Sequence, residues 1–223
     1  IVAALLLWVV RRLFDIERWH GPADSIFGAH RLENEIDVKS GIGSTVGAFV
    51  SISGGASVGQ YGPLVHFGAT IGTFLRQMIG KNQAYDKEIV GTDVFIGCGV
   101  AAAIAAGFHA PIAGIVFAHE AVLRHFSFRA LTPIAIASIT SVWFSTAVFG
   151  DDPLFTLDAV EADLLPMVPV LLASGLIFGL IALVFMLALL KVSSIAAKSS
   201  LPPLGLALIA AVTAGALAIF VPE

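Results

Sequence analysis

Long apolar blocks alternate with short polar segments along the whole chain. Blocks long enough to cross a bilayer, which takes about 20 residues, are predicted at residues 128–149, 164–192 and 202–222. Residues 1–14 are predicted to end a further helix, because two arginines close this block, and residues 15–39 are the most polar stretch. The pattern therefore predicts helices that lie in a membrane.

The remaining apolar runs are short or are interrupted by Gly and Pro. They are residues 40–58, 63–80, 93–108 and 110–123. Broken helices are tolerated at membrane depth only where they pack within protein or line an aqueous cavity. In transporters, the ends of such half-helices point at an ion. We therefore predict an all-α polytopic membrane protein whose broken, tilted helices surround a polar site.

The composition agrees with lipid as the main solvent of this chain. Hydrophobic residues make up 57% of it and charged residues only 13%, whereas ordinary globular proteins are about 25% charged. The single cysteine, Cys98, excludes an internal disulfide and a cysteine-based metal cluster. We expect no metal, no cofactor and no nucleic-acid partner. Because the chain opens inside an apolar block and without methionine, we interpret it as a piece of a longer protein.

The basic residues predict how the chain is oriented in the membrane. All Lys and Arg residues fall in segments 11–39, 76–87, 124–129 and 191–198, whereas the loop 151–163 is acidic. Basic loops are retained in the cytoplasm. We therefore predict a multi-pass protein of the plasma (inner) membrane, with the acidic loop outside and the basic segments inside.

The stretch "GGASVGQYGPLVHFGAT", residues 54–70, predicts an anion site. Its Gly-Pro turn would bring the N-terminus of a helix beginning at Pro63 into the bilayer, where the terminus carries about half a positive elementary charge and free N–H groups. Gly59 and Gly62 lack the Cβ that would keep an ion from the backbone. Together with Gln60, these residues are the predicted anion ligands. Alternatively, the glycines only allow helices to pack closely.

Three segments carry a resemblance to a known family. "GQYGPLVHFGATIG", residues 59–72, resembles the G-[KR]-E-G-P signature of the ClC chloride channels and proton/chloride exchangers. "AAAIAAGFHAPIAGIVFAHE", residues 101–120, is similar to that family's segment ending in "FNAPLAGILF" and a glutamate. "HGPADSI", residues 20–26, occupies the place of the family's G-S-G-I-P loop. The order and spacing of all three segments fit over most of the chain.

The resemblance implies a fold and an assembly. It implies the ClC-type inverted repeat, a homodimer with one pore per subunit, and chloride or a similar small anion as the transported ion. Residues 1–150 would then be the first repeat without its N-terminal helices, 151–163 an extracellular loop, and 164–223 the start of the second repeat.

The departures from the family pattern carry the functional prediction. Tyr61 stands where the family has its gating glutamate, and Ala121, beside Glu120, matches the inner proton-transfer glutamate of the exchangers. A phenol has an ordinary pKa of about 10, so Tyr61 stays neutral and can donate a hydrogen bond or block the path. We therefore predict a passive, uncoupled chloride channel that is not an enzyme. In another interpretation, Tyr61 only packs at a helix interface.

Two other functions stay open at this point. One is a proton-coupled anion exchanger that uses Glu120 or a histidine as a non-standard proton relay. The other is a membrane scaffold whose pore is degenerate and closed.

Several histidines have two interpretations. His20 or Pro22 takes the place where the family offers a serine hydroxyl to the anion, and His20 can donate an N–H. His20 can equally be an interfacial histidine. His66 follows one turn into the helix and faces either the anion path or a neighbouring helix. His109 matches the asparagine of "FNAP" and is predicted to bond backbone groups freed by the next proline.

The segment "HEAVLRH", residues 119–125, raises a metalloenzyme alternative. The H-E-x-x-H pattern puts two histidines on one helical face, but here position 123 is Leu and the second histidine is His125. We therefore expect no zinc site. Glu120 is a functional candidate as an acid in an apolar helix, or it pairs with Arg124 four residues later.

Overall fold

The computed structural model describes residues 2–30, 36–56, 59–80, 91–150, 164–199 and 201–220, and within these ranges the regular structure is helical. The elements are α1 (Val2–Leu13), α2 (Pro22–His30), α3 (Val38–Ser53), α4 (Tyr61–Gly80), α5 (Thr92–Phe108), α6 (Pro111–Phe117), the π-helical turn π1 (Ala118–Leu123), α7 (Phe128–Phe149), α8 (Leu164–Lys198) and α9 (Pro203–Phe220). Two compact units divide the chain, residues 1–152 with 211–223, and residues 153–210.

Most of the helices predicted from the apolar blocks are confirmed. α7 covers the predicted residues 128–149, and α8 continues beyond the predicted end at 192. α4 begins before Pro63, because the Leu64 N–H donates to the Gln60 carbonyl at 3.1 Å. Proline is accommodated there since the first N–H groups of a helix have no intrahelical acceptor. The acidic loop 151–163 lies outside the described residues.

α2 lies in the polar stretch where the sequence predicted no helix. Its start is specified locally: Pro22 is the first helical residue, a favoured position, and the Asp24 carboxylate accepts the Gly21 N–H at 2.9 Å. Its buried face consists of Ser25, Gly28 and Ala29. Because small residues line this face, the helix has no apolar periodicity to reveal it.

α3 begins at a side-chain cap. The Asp37 carboxylate accepts the backbone N–H groups of Lys39 and Ser40 at 3.1 and 3.4 Å. The Ser40 hydroxyl, which also donates to this carboxylate, lowers the pKa of Asp37 below its ordinary value of 3.8, and the two N–H groups act in the same direction. The ionised carboxylate therefore stabilises α3 at neutral pH.

Asp37→Ala should lower the free energy of unfolding by about 1 kcal/mol, the usual cost of losing an N-cap. Since the folded-state pKa is lowered, this contribution is present at neutral pH and is lost as the pH falls through that pKa. Thermal unfolding of the two proteins in detergent at neutral and acidic pH measures it. Asp37→Ser is the matched control, because serine also caps. An equal loss in both variants would contradict the capping role.

α4 and α5 pack with their backbones in direct contact. A Cβ added at Gly68 would collide with the Gly99 carbonyl, and one added at Gly99 would collide with the Gly68 carbonyl. Small residues allow such close approach between membrane helices. α4 and α5 also contribute to a buried apolar cluster, together with α2, π1 and the segment before α3. Its members are Ala29, Ile36, Val65, Ala69, Ile96, Val100, Ile104 and Val122.

The apolar run 93–123 is broken where the sequence predicted. His109 ends α5 in a left-handed conformation (φ 51°), its backbone N–H donates to the Ala105 carbonyl, and Pro111 opens α6. The prediction that the His109 side chain bonds freed backbone is wrong, because no hydrogen bond joins its imidazole to the described residues. Instead, the Ser138 hydroxyl of α7 donates to the Pro111 carbonyl at 2.8 Å.

Two helices of the described chain are long and apolar enough to cross a membrane. They are Phe128–Phe149 and Pro166–Lys198, with mean hydropathies of 1.5 and 2.8. The second of these is exposed along its length, with Phe178 68% and Leu176 78% accessible. Such helices agree with the predicted polytopic membrane fold, because lipid is the solvent that apolar exposed surfaces require.

Candidate functional site

The N-termini of α2 and α4 meet, and Gly62 and Pro63 of the turn for which the sequence predicts an anion site lie at this junction. A Cβ built on Gly62 would lie 3.6 Å from the Pro22 ring. A cavity of about 110 Å³ lies at this junction and has room for several waters or a small anion. The segment before α2, the small face of α3 and the first turns of α4 line it: His20, Gly21, Pro22, Ser44, Thr45, Ala48, Gly62, Pro63 and His66.

The two glycines of the turn serve a different purpose from those of the α4–α5 contact. Gly59 has a φ of +69° and open space around its missing Cβ, so the turn itself requires glycine there. A Cβ on Gly62 would make only ordinary contacts. Close helix packing explains Gly68 and Gly99 but neither Gly59 nor Gly62.

Two imidazoles occupy one side of the cavity. The His20 and His66 rings stack nearly parallel, with centroids 5.8 Å apart. His66 is 1% exposed, and the buried Ser25 hydroxyl lies 2.9 Å from its Nδ1. His20 Nδ1 and His66 Nε2 are both buried and have no hydrogen-bond partner among the residues that the structure describes. The structure therefore brings the two histidines together at the predicted site.

The cavity wall also contains hydroxyls that sequence reasoning missed. Ser44 Oγ accepts the His20 backbone N–H at 3.0 Å, which leaves the hydroxyl hydrogen of Ser44 available as a donor. Thr45 Oγ1 donates to the Gly41 carbonyl at 3.0 Å. Gly41, Ser44, Thr45 and Ala48 recur at helical spacing on one face of α3. That small polar stripe inside an apolar run was the available signal.

The described lining of the cavity contains no Asp, Glu, Lys or Arg. Asp24, two residues after the lining residue Pro22, forms a salt bridge with Arg18. The Asp24 carboxylate also accepts a hydrogen bond from the Gly21 N–H. The described lining therefore offers neutral hydrogen-bond donors and the N-terminus of α4, with no charged side chain.

Tyr61 is the first residue of α4. It directly precedes Gly62 and Pro63, which line the cavity, but it does not line the cavity itself. Its ring is 42% exposed and meets Phe117 of α6 edge-to-face, with centroids 5.6 Å apart. Tyr61 therefore packs at a helix interface and also lies beside the cavity. Its gating role stays a prediction.

A second, apolar cavity of about 200 Å³ adjoins the first. Gln60, Leu64 and Phe67 line it together with residues of α3 and α5. The two cavities share Thr45 and Pro63 as walls. Of the predicted anion ligands, Gln60 therefore lies at the apolar cavity, while Gly62, Pro63, His20 and Pro22 line the polar one.

The inner pair Glu120 and Ala121 lies in π1, away from both cavities. Glu120 is exposed and Ala121 half-buried. The predicted Glu120–Arg124 ion pair is wrong: no salt bridge joins them, since π1 changes the helical spacing and Arg124 leaves the helix in a left-handed conformation (φ 55°). The buried neighbour His119 bonds the His125 carbonyl through Nδ1 at 3.2 Å.

Comparisons with known proteins identify the family of this chain. The family profile described as "Voltage gated chloride channel" matches residues 2–223. The chain therefore belongs to the voltage gated chloride channel family, which confirms the resemblance seen in the sequence.

Individual relatives are similar at moderate identity. The "Voltage-gated ClC-type chloride channel ClcB" of Yersinia pseudotuberculosis serotype O:1b is 25% identical over 211 residues, which are 93% of this chain and 49% of the relative. "Chloride channel protein CLC-f" of Arabidopsis thaliana is 31% identical over 143 residues, 62% of this chain and 18% of the relative. The chain spans about half the length of the ClcB relatives it matches.

Proposed function

We propose that this chain belongs to a passive, uncoupled chloride channel. The observation that carries the proposal is the cavity at the meeting point of two helix N-termini, whose described lining offers N–H and O–H donors and no charged side chain. Gly59, Gln60, Gly62, Pro63, His20 and Pro22 act around the permeating ion. Tyr61 gates the path as a neutral phenol.

The proposal of uncoupled transport rests on the two positions where exchangers keep acids. Position 61 is Tyr and position 121 is Ala. A tyrosine hydroxyl, with an ordinary pKa of about 10, does not exchange protons readily at neutral pH. Chloride or a similar anion, a homodimer and the inner membrane complete the proposal, and their support is membership of the family.

A proton-coupled exchanger is the second candidate. His20 and His66 both line the cavity, and the ring nitrogens of histidine can donate or accept a hydrogen bond. A relay through these imidazoles would couple proton movement to chloride without the acids. The two candidates differ in whether chloride flow drives protons.

Vesicle flux separates these functions. The full-length protein in liposomes loaded with chloride should release it when a potassium ionophore balances charge, and a chloride gradient should move no protons uphill. Chloride-selective electrodes and a pH-sensitive dye measure both, with protein-free liposomes as the control. Uphill proton movement would support the exchanger, and absence of chloride efflux would support the closed scaffold.

A further inference from the structure

We propose that His66 is a direct anion ligand, donating its Nε2–H to the ion in the polar cavity, and that Ser25 is the positioning residue that fixes the required tautomer. The inference rests on the proposed function and deepens it. It adds a side-chain donor to the backbone donors at the helix N-termini.

The hydrogen-bond pattern determines the tautomer. The Ser25 hydroxyl is fully buried and 2.9 Å from His66 Nδ1, which is its one hydrogen bond among the described residues. If Nδ1 carried the proton, both the hydroxyl hydrogen and the Nε2 lone pair would lack partners. If Ser25 instead donates its hydroxyl hydrogen to Nδ1, only the Nε2–H lacks a hydrogen-bond partner. Leaving fewer buried groups unpaired is favourable, so Nε2 carries the proton.

A buried donor without an acceptor needs an explanation. His66 is 1% exposed, its Nε2 has no hydrogen-bond partner within the described part of the chain, and its side chain lines the cavity. Leaving such a group without a hydrogen bond is unfavourable, because it has given up its bond to water. An anion in the cavity accepts this hydrogen bond, and bonds to a charged acceptor are stronger than neutral ones. The stacked His20, whose Nδ1 is also buried and unpartnered, lies beside the same cavity.

The chemistry of the cavity selects an anion over a metal cation. No carboxylate is among its described lining residues, and the described chain contains no group of three or more His, Cys, Asp or Glu able to hold a metal. Protein zinc sites use three or four such ligands. The N-terminus of α4 adds positive potential at the same place, whereas at α2 the Asp24 carboxylate accepts the Gly21 N–H and offsets the potential of that helix.

Chloride binding to variants of His66 tests the proposal. Sodium chloride is titrated into the purified full-length protein in isethionate buffer and followed by calorimetry. His66→Phe should weaken binding about tenfold, the ratio that corresponds to about 1.4 kcal/mol, whereas His66→Gln, whose amide N–H replaces Nε2–H, should retain most of the affinity. His119→Phe is the matched control, since His119 is equally buried with an unpartnered Nε2 and lies outside the cavity.

Nitrogen NMR of the histidine-labelled wild-type protein tests the same proposal without a substitution. The His66 signals should show a protonated Nε2 and a bare Nδ1, and the Nε2 signal should shift as chloride is added. Ser25→Ala should mix the tautomers and weaken chloride binding, and Ser25→Thr should restore both.

Specific results would overturn the inference. They are an Nδ1-protonated His66, an Nε2 signal that ignores chloride, or wild-type affinity in His66→Phe. These outcomes can be distinguished from failure of the proposed function. If the protein binds chloride through His66 but gives no vesicle flux, the ligand role of His66 is supported and the channel function is not. If the wild-type protein conducts chloride and His66→Phe binds chloride with unchanged affinity, the channel function is supported and the ligand role of His66 is not.

Discussion

Replacing Tyr61 by glutamate should slow chloride flux at neutral pH at least tenfold and restore it on acidification. Tyr61 opens α4 directly before Gly62 and Pro63, which line the polar cavity. A carboxylate there competes with the anion for the same N–H groups. Two like charges 4 Å apart repel by about 4 kcal/mol at an effective dielectric constant of 20, and tenfold requires only about 1.4 kcal/mol.

The pH dependence follows from the sign of the new charge. A glutamate has an ordinary pKa of about 4.3, so the ionised and blocking form dominates at neutral pH and the neutral form returns as the pH falls. Flux from liposomes across that pH range measures the effect. Tyr61→Gln is the matched control, because it has similar length and no charge. If Tyr61→Glu leaves flux unchanged at every pH, Tyr61 does not lie on the ion path.

Gly99→Ala should destabilise the protein by about 3 kcal/mol, at the upper end of what overpacking a well-packed core costs. The new methyl group would meet the backbone carbonyl of Gly68, which cannot move aside without separating α4 from α5. Thermal unfolding in detergent measures the loss.

Gly97→Ala provides a control in the same helix. Its Cβ would lie 3.0 Å from Cδ1 of Ile134, the far end of a flexible side chain that can shift. This variant should therefore cost less than about 1 kcal/mol. Equal destabilisation by the two alanines would mean that the α4–α5 contact is not specially close.

The sequence was sufficient for elements whose apolar pattern is long and bounded by clear signals. α7 ends directly before Gly150 and α6 begins at Pro111, and both limits could be predicted because glycine and proline act locally. α2 could not, since its buried face of Ser25, Gly28 and Ala29 carries no apolar period. A face defined by small residues becomes visible only when its neighbours are in place.

The candidate site divides in the same way. The turn at Gly59–Pro63 could be predicted because it has a local sequence signature, and the clustering of these residues with His20 and Pro22 followed from the family resemblance. The Ser25–His66 hydrogen bond joins residues 41 positions apart, and no local rule pairs them. The Glu120–Arg124 prediction failed because it assumed regular α-helical spacing across residues that form a π-helical turn.

The shared wall of the two cavities has a consequence for permeation. Thr45 donates its hydroxyl to the Gly41 carbonyl, and Pro63 has no backbone N–H to donate, so neither residue of this shared wall offers an ion a free hydrogen-bond donor. An ion that took this route would pass from the cavity lined by His20, Ser44 and His66 into the apolar cavity lined by Leu64 and Phe67. We expect the highest free-energy barrier along this route to lie at the shared wall, where the size of the side chains would control the rate of ion passage.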